Sequence, residues 1–213
     1  MSEIRTGRQR YYTIFSHFYD FFIKIHSGSH GAETRQFLVD AAQTVRGRHI
    51  RILDICCGTG SVILAFAKKY PEALVTGYDF SGGMLRKAKQ KDGENRVAFV
   101  LGDAARLSYA DDCFDIVCCS HALYELKGQV RIQALAEMKR VVKPDGLVFI
   151  MEHEVPRHPL IKILFHIRML MMGSSDAREF VEQDLQPYEK LFTKVALSHT
   201  PSGKSKLITC QKS

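Results

Sequence analysis

LDICCGTGS, residues 53–61, joins an apolar run to a glycine turn. An apolar run closes on Asp54, Cys56 and Cys57 follow, and Gly58-Thr59-Gly60 leads into SVILAFAKKY, whose apolar spacing is helical. The pattern predicts a strand that passes into a helix through a glycine turn. Glycine takes positive φ without steric cost and lets a ligand approach the backbone. The first turn of the helix aims its free N–H groups at the same point. Tight strand-to-helix turns often contain Gly-x-Gly for no other purpose. The stretch alone therefore leaves three readings: a metal on the cysteines, a nucleotide on the glycines, or a plain turn.

Working outward, short apolar runs recur at 49–55, 73–79, 96–102, 114–120 and 146–152. Helical patterns lie between them: SVILAFAKKY, SGGMLRKAKQK and QVRIQALAEMKRVV. The last has apolar residues at 130, 132, 135, 138, 141 and 142, which fit one helix face. Strands alternating with helices imply an α/β fold with a parallel sheet and helices on both faces. Pro144-Asp145-Gly146 is expected to stop the long helix and turn into the next strand. Residues 190–212 read as two strands around Pro201-Ser202-Gly203, an antiparallel hairpin closing the sheet. Residues 8–46 are rich in Tyr, Phe and His and read as two helices broken at SGSHG, 27–31.

Bulk properties narrow the classes. The 213 residues predict one domain, 1–213, and their apolar and charged shares are those of a soluble globular chain. No uncharged apolar run is long enough to span a membrane. The start, MSEIRTGRQR, lacks an apolar core and a small-residue cleavage site, so no secretory signal is expected. The six cysteines include no Cys-x-x-Cys pair and form no disulfide framework, which suits a reducing cytoplasm. The net charge of +7 favours acidic partners, whether nucleic acid, an anionic lipid surface or anionic metabolites. Its lysines and arginines are scattered, however, as on any solvated surface.

Three acids strengthen the nucleotide reading. Asp54 closes the first strand, Asp79 ends the second, and Asp103 follows the third in GDAARL. An acid at the second strand end accepts hydrogen bonds from ribose hydroxyls in nucleotide-binding α/β folds. Asp103 is placed to accept from an adenine amino group, with the N–H of Ala104 reaching a ring nitrogen. Asp54 is placed to accept from an ammonium group. Each alone is explicable as a helix cap; three at successive strand ends are not. A dinucleotide fingerprint needs a third glycine where this chain has Ile63. A nucleoside without a pyrophosphate, such as S-adenosylmethionine, needs no such seat.

Taken together, LDICCGTGS, GYDFSGGML, GDAARL, FDIVCCSHAL and VVKPDGLVFI resemble, in order and spacing, the motifs of class I S-adenosylmethionine-dependent methyltransferases. The resemblance is strong over 49–155 and looser elsewhere. It implies a Rossmann-like, seven-stranded, mostly parallel sheet with an antiparallel last strand. It implies an N-terminal helical cover over 1–46, a cofactor-binding core over 47–155, a helical lid over 156–189 and a hairpin over 190–213. YDFF at 19–22, the CGTG turn and MEHEVP at 151–156 look most like the quinone-ring C-methyltransferases of ubiquinone and menaquinone biosynthesis. Cys56 stands where that group has a small residue, and the segment after the fifth strand is shorter.

Carried over residue by residue, the resemblance implies a cofactor site. Asp54, Cys57, Gly58, Thr59 and Gly60 would line the methionyl part. Asp79 would hold the ribose, and Phe80 and Met84 would pack near the adenine. Asp103 and Ala104 would hold its edge. Ser120 and His121 would sit beside the methionyl group, and Tyr12 and Tyr19 on the covering helices. The expected product is S-adenosylhomocysteine.

His121, Glu152 and His153 lie where an acceptor would arrive and are the catalytic candidates. Histidine is the natural general base near neutral pH, and Glu152 resembles a Glu of the quinone methyltransferases. Methyl transfer itself needs little acid–base help, whereas a quinol carbon would need its hydroxyl deprotonated. With the first and fourth strands adjacent, Cys56/Cys57 and Cys118/Cys119 come side by side. A thiol metal site is one reading. Small residues filling a tight sheet is the other, favoured because vicinal strand residues point apart. No metal is expected.

HPLIKILFHIRMLMMG, 158–173, is apolar almost all round, interrupted by Lys162, His166 and Arg168. Such a helix is normally buried, or forms a dimer contact. The functional alternative is a lipophilic pocket or a membrane-surface anchor. The expected activity is methyl transfer to a small, lipophilic acceptor such as a quinol. A lipid amine, a polar metabolite and a non-catalytic cofactor-binding scaffold are the alternatives. Nucleic acid is not expected: CCSHAL is not the Asn/Asp-Pro-Pro-aromatic motif of amino-methylating enzymes, and there is no Pro-Cys pair. A cytoplasmic protein is expected, with peripheral membrane contact through 158–173.

Overall fold

The computed structural model describes residues 30–45, 49–156, 159–172, 177–182 and 185–212. Its centre is a seven-stranded sheet in the order β3-β2-β1-β4-β5-β7-β6. The strands are β1 Arg51–Ile55, β2 Leu74–Asp79, β3 Val97–Leu101, β4 Phe114–Ser120, β5 Val142–His153, β6 Lys194–His199 and β7 Ser205–Gln211. The pairs β1–β2, β1–β4, β2–β3 and β4–β5 are parallel. β7 runs antiparallel to both β5 and β6. The expected mostly parallel sheet and its C-terminal hairpin are both present.

Helices α1 His30–Ala41, α2 Ser61–Lys69, α3 Gly82–Lys91, α4 Gly128–Val141, α5 Pro159–Met172, α6 Ala177–Glu182 and α7 Gln186–Glu189 complete the described residues, with two 3-10 turns. Two apolar layers sandwich the sheet. On one face Leu38 of α1 and Ile63 and Phe66 of α2 cover Ile52, Ile116, Phe149 and Met151. On the other, Leu135 and Met138 of α4, Phe180 of α6 and Tyr188 cover Leu53, Ile55, Val117, Val148 and Ile150. Strand residues alternate between these layers because successive side chains point to opposite faces.

Three local expectations change. α4 ends at Val141, before Pro144-Asp145-Gly146, and β5 already begins at Val142. The pairing shifts between Phe114 and Ile116, so the Pro-Asp-Gly triplet forms an irregularity within β5 rather than the turn that starts it. A Cβ on Gly146 would come within 2.8 Å of the Asp115 carbonyl oxygen, which is why a glycine sits there. His30 and Gly31, the last two residues of the expected break, are already helical in α1; residues 27–29 and the helix expected before them, with Tyr12 and Tyr19, lie outside the described residues. α5 forms as expected but is not buried all round: Leu160, Ile163, Leu164 and Ile167 are exposed. Among the described residues, no helix is long and apolar enough to cross a membrane.

Strand order reverses between β1 and β4. In open α/β sheets the crevice beyond the carboxyl ends of the strands at such a reversal is the natural ligand site.

Candidate active site

The turn after β1 is built on left-handed backbone. Cys56 has φ 53°, Gly58 φ 55° and Gly60 φ 80°. A side chain is disfavoured at Gly58 by φ alone, since among the described residues a Cβ there would meet nothing within 4 Å. Among those residues that face of the turn is open. Gly60 is constrained twice, because its Cβ would also come within 3.0 Å of the Ala88 Cβ on α3. The two glycines therefore differ: Gly58 leaves space for a ligand, and Gly60 lets α3 pack closely. Thr59 is buried, and its carbonyl accepts a hydrogen bond from Lys91 of α3 at 3.2 Å.

Asp79 ties this turn to β2. Its Oδ2 accepts the Gly58 N–H at 2.8 Å and its Oδ1 accepts the Ser81 N–H at 2.8 Å. Ser81 in turn caps α3, its hydroxyl accepting the Met84 N–H at 3.4 Å. Burial pushes the Asp79 carboxyl up to about 6, against the pull of the Ser81, Gly58 and Phe80 amides. Phe80 is half-buried and Met84 buried. Ser81 was not singled out from the sequence, although a serine before GGML is an N-cap signal.

Asp54 is 2% exposed. Its Oδ1 accepts from the Cys118 thiol at 3.5 Å, and it also accepts from the Ile63 N–H in the first turn of α2. Burial pushes its carboxyl up to about 8; the Cys118 bond opposes this and the Asp79 charge adds to it. Two buried carboxylates at adjacent strand ends, both raised, favour a cation beside them. Asp103 is half-buried and accepts the Ala105 N–H at 3.0 Å, with Ala104 buried next to it. Gly102 is needed for space: a Cβ would fall 1.9 Å from the Tyr78 hydroxyl oxygen.

Beyond β4, His121 has φ 51° and donates its backbone N–H to the Met151 carbonyl at 2.8 Å. Its Nδ1 lies 3.1 Å from the Ser120 hydroxyl and its Nε2 3.1 Å from the Ser205 hydroxyl. Its ring stands 4.4 Å, centre to centre, from that of His153. Tyr124 and Phe165 flank His153 at 5.4 and 6.1 Å. Ser205 escaped the sequence reading because it comes from β7, 84 residues from His121.

Glu152 does not join this group. It pairs across the sheet with Lys206, whereas His153 pairs with Ser205. Successive strand residues face opposite ways, so Glu152 lies on the α4 side. It is 2% exposed, and among the described residues neither oxygen has a hydrogen-bond partner. Burial pushes it up to about 8, opposed by the Arg131 and Lys206 charges. Arg131 donates to the Leu123, Tyr124 and Leu126 carbonyls and stacks 4.1 Å over the Phe180 ring.

The cysteines split by face as vicinal strand residues must. Cys118 bonds Asp54 on one side, and Cys119 meets Cys56 on the other. Burial, aided by nearby carboxylates, raises the Cys57 and Cys118 thiols well above the ordinary range; at Cys119 the bond to Cys56 raises it first and burial second. These are thiols held protonated and unreactive. Among the described residues, no group of three or more His, Cys, Asp or Glu is placed to hold a metal ion.

Comparison with known proteins agrees with this geometry. Residues 52–146 match the family described as a methyltransferase domain. The chain is 34% identical over 157 residues to the ubiquinone/menaquinone biosynthesis C-methyltransferase UbiE of Geotalea daltonii, covering 71% of this chain and 65% of the relative. It is 41% identical over 116 residues to the demethylmenaquinone methyltransferase of Lactobacillus johnsonii, covering 52% of this chain and 47% of that protein. The chain thus spans less than two thirds of the length of these relatives. The fold resembles that of the S-adenosylmethionine-dependent methyltransferase SibL in its apo form, with TM-score 0.65 and 21% identity, covering 90% of this chain and 57% of that one. Sheet order, glycine turn and sequence matches converge: the chain is similar over residues 52–146 to a methyltransferase domain, and its fold is that of the methyltransferase structures it resembles.

Proposed function

We propose that this chain transfers the methyl group of S-adenosylmethionine to a ring carbon of a lipophilic quinol. The observation that carries this reading is the identity of 34% and 41% to relatives named for quinone methylation.

The residues fit the methyl donor. Gly58 leaves open space at the turn. Asp54 and Asp79 are buried carboxylates raised to about 8 and about 6, suited to a ligand that brings an ammonium and ribose hydroxyls. Asp103 and Ala104 are assigned to the adenine edge, Phe80 and Met84 to its face. Bound there, S-adenosylmethionine supplies a methyl on a sulfonium, already electrophilic, so alignment with the acceptor carries most of the effect.

Carbon becomes nucleophilic when the quinol hydroxyl loses its proton. His121 is held by two serine hydroxyls and is assigned to positioning. His153, 4.4 Å away, is assigned as the base that takes the hydroxyl proton. Glu152 faces α4 and is assigned no contact with the acceptor.

The test is S-adenosylhomocysteine release with a short-chain naphthoquinol, the oxidised quinone, and an amine as acceptors. Release with the quinol alone supports the reading. His153→Ala should then lower kcat by at least about a hundredfold, leaving S-adenosylhomocysteine affinity unchanged. Release only with the amine, or none from a chain that binds the donor, overturns it.

A further inference from the structure

We infer that the outer face of α5 docks on an anionic lipid surface. Leu160, Ile163, Leu164 and Ile167 recur at i, i+3, i+4 and i+7, which places them on one helix face. They are 62%, 57%, 58% and 48% exposed. Among the other described residues the exposed large apolar ones, Leu74, Leu101 and Ile132, are scattered over β2, β3 and α4. The opposite side of α5 is anchored. His166 is buried with Nε2 3.5 Å from Glu182 of α6, and Phe165 packs edge-on to His153. The stripe is therefore held facing outward.

Charge selects the occupant. From 155 to 175 the sequence carries Arg157, Lys162 and Arg168 and no Asp or Glu, in a chain of net charge +7. Two copies meeting through this face would bring two segments without an acid together, because a two-fold contact buries the same patch on both subunits. An anionic bilayer offers both an apolar boundary for the stripe and negative headgroups for the cations. Phe165 links the docked face to His153, so a lipid-soluble molecule leaving the bilayer would emerge beside the acceptor side of the site. Docking is measured without any acceptor, so its failure and that of the quinol reading are distinguishable.

The experiment is co-sedimentation of the full chain with vesicles of phosphatidylglycerol and phosphatidylcholine in equal parts, against pure phosphatidylcholine. Binding to the mixed vesicles that weakens with salt is expected. The quadruple variant Leu160→Gln, Ile163→Gln, Leu164→Gln, Ile167→Gln should lose at least about tenfold in binding, since each buried methylene counts. Leu74→Gln, at the far side of the sheet, should bind as wild type. The chain has no Trp, so Leu164→Trp gives a single indole whose emission should shift to the blue with mixed vesicles only. This keeps the test decisive if the quadruple variant does not fold. Wild type that stays in the supernatant, or an indole that does not shift, overturns the inference. A stripe variant that binds as before while converting a wild-type dimer to a monomer also overturns it, in favour of self-association.

Discussion

The Asp79 carboxylate holds the Gly58 amide: Oδ2 accepts that N–H at 2.8 Å across 21 residues of sequence, while Oδ1 accepts the Ser81 N–H. One side chain thus shapes the glycine turn, orients the start of α3, and faces the site. Asp79→Ala removes all three at once. Affinity for S-adenosylhomocysteine should fall at least about tenfold, because a hydrogen bond to a charged group is worth roughly 1.5–3 kcal/mol. Titration calorimetry reads this directly. Unchanged affinity would remove both the ribose assignment and the importance of the turn.

Asp54 makes donor binding a proton-linked event. Burial raises its carboxyl from 3.8 to about 8. Without ligand, the native state therefore binds more protons than the unfolded chain between those values, and its stability falls as pH rises through them. An ammonium group placed beside Asp54 reverses the shift, so binding at pH 7 should release protons. Calorimetry in buffers of different ionisation heat should show that release, and Asp54→Asn should reduce it. Equal heats in all buffers would separate Asp54 from the ammonium group.

Glu152 has the same sign in a different place. Burial lifts its carboxyl from 4.5 to about 8 despite Arg131 and Lys206. Its contribution favours the fold below the unfolded value and is lost as pH rises toward about 8. Chemical denaturation across that window should show wild-type stability declining, by up to about 5 kcal/mol if the whole shift is realised. Glu152→Gln should give a flatter profile. Parallel profiles would mean that Glu152 keeps its charge through compensation by the two cations.

Gly102 is a packing test independent of function. A Cβ 1.9 Å from the Tyr78 hydroxyl oxygen forces the ring or β3 to move. Gly102→Ala should lower stability by at least about 2 kcal/mol, the upper part of the overpacking range. A thermal melt that matches wild type would show that Tyr78 turns away freely.

Much of the architecture was readable from spacing. Apolar runs at regular intervals, a glycine turn after the first and an acid after each of three strands require only neighbours in sequence to be recognised. The alternation of strands and helices and the strand-end places of Gly58, Asp79 and Asp103 follow from that local code; the order of the strands in the sheet does not. Ser81 was legible too, as a cap before α3. The irregularity in β5 was not, because Pro144-Asp145-Gly146 marks a break without saying whether the strand begins before or after it.

Residue spacing alone decided the fold class, the hairpin and the strand ends at which the site is built, since periods of two and 3.6 residues are written locally. Tertiary structure decided the rest. Cys118 reaches Asp54 across 64 residues, and Ser205 reaches His121 across 84. Glu152 and His153, adjacent in sequence, part because β5 pairs them with Lys206 and Ser205 on opposite faces. A helix apolar almost all round, as α5 is, could not declare which face would be covered; only the packing of His166 and Phe165 turned Leu160, Ile163, Leu164 and Ile167 outward. Register and packing join residues that share no neighbourhood in the chain, and no local pattern encodes that.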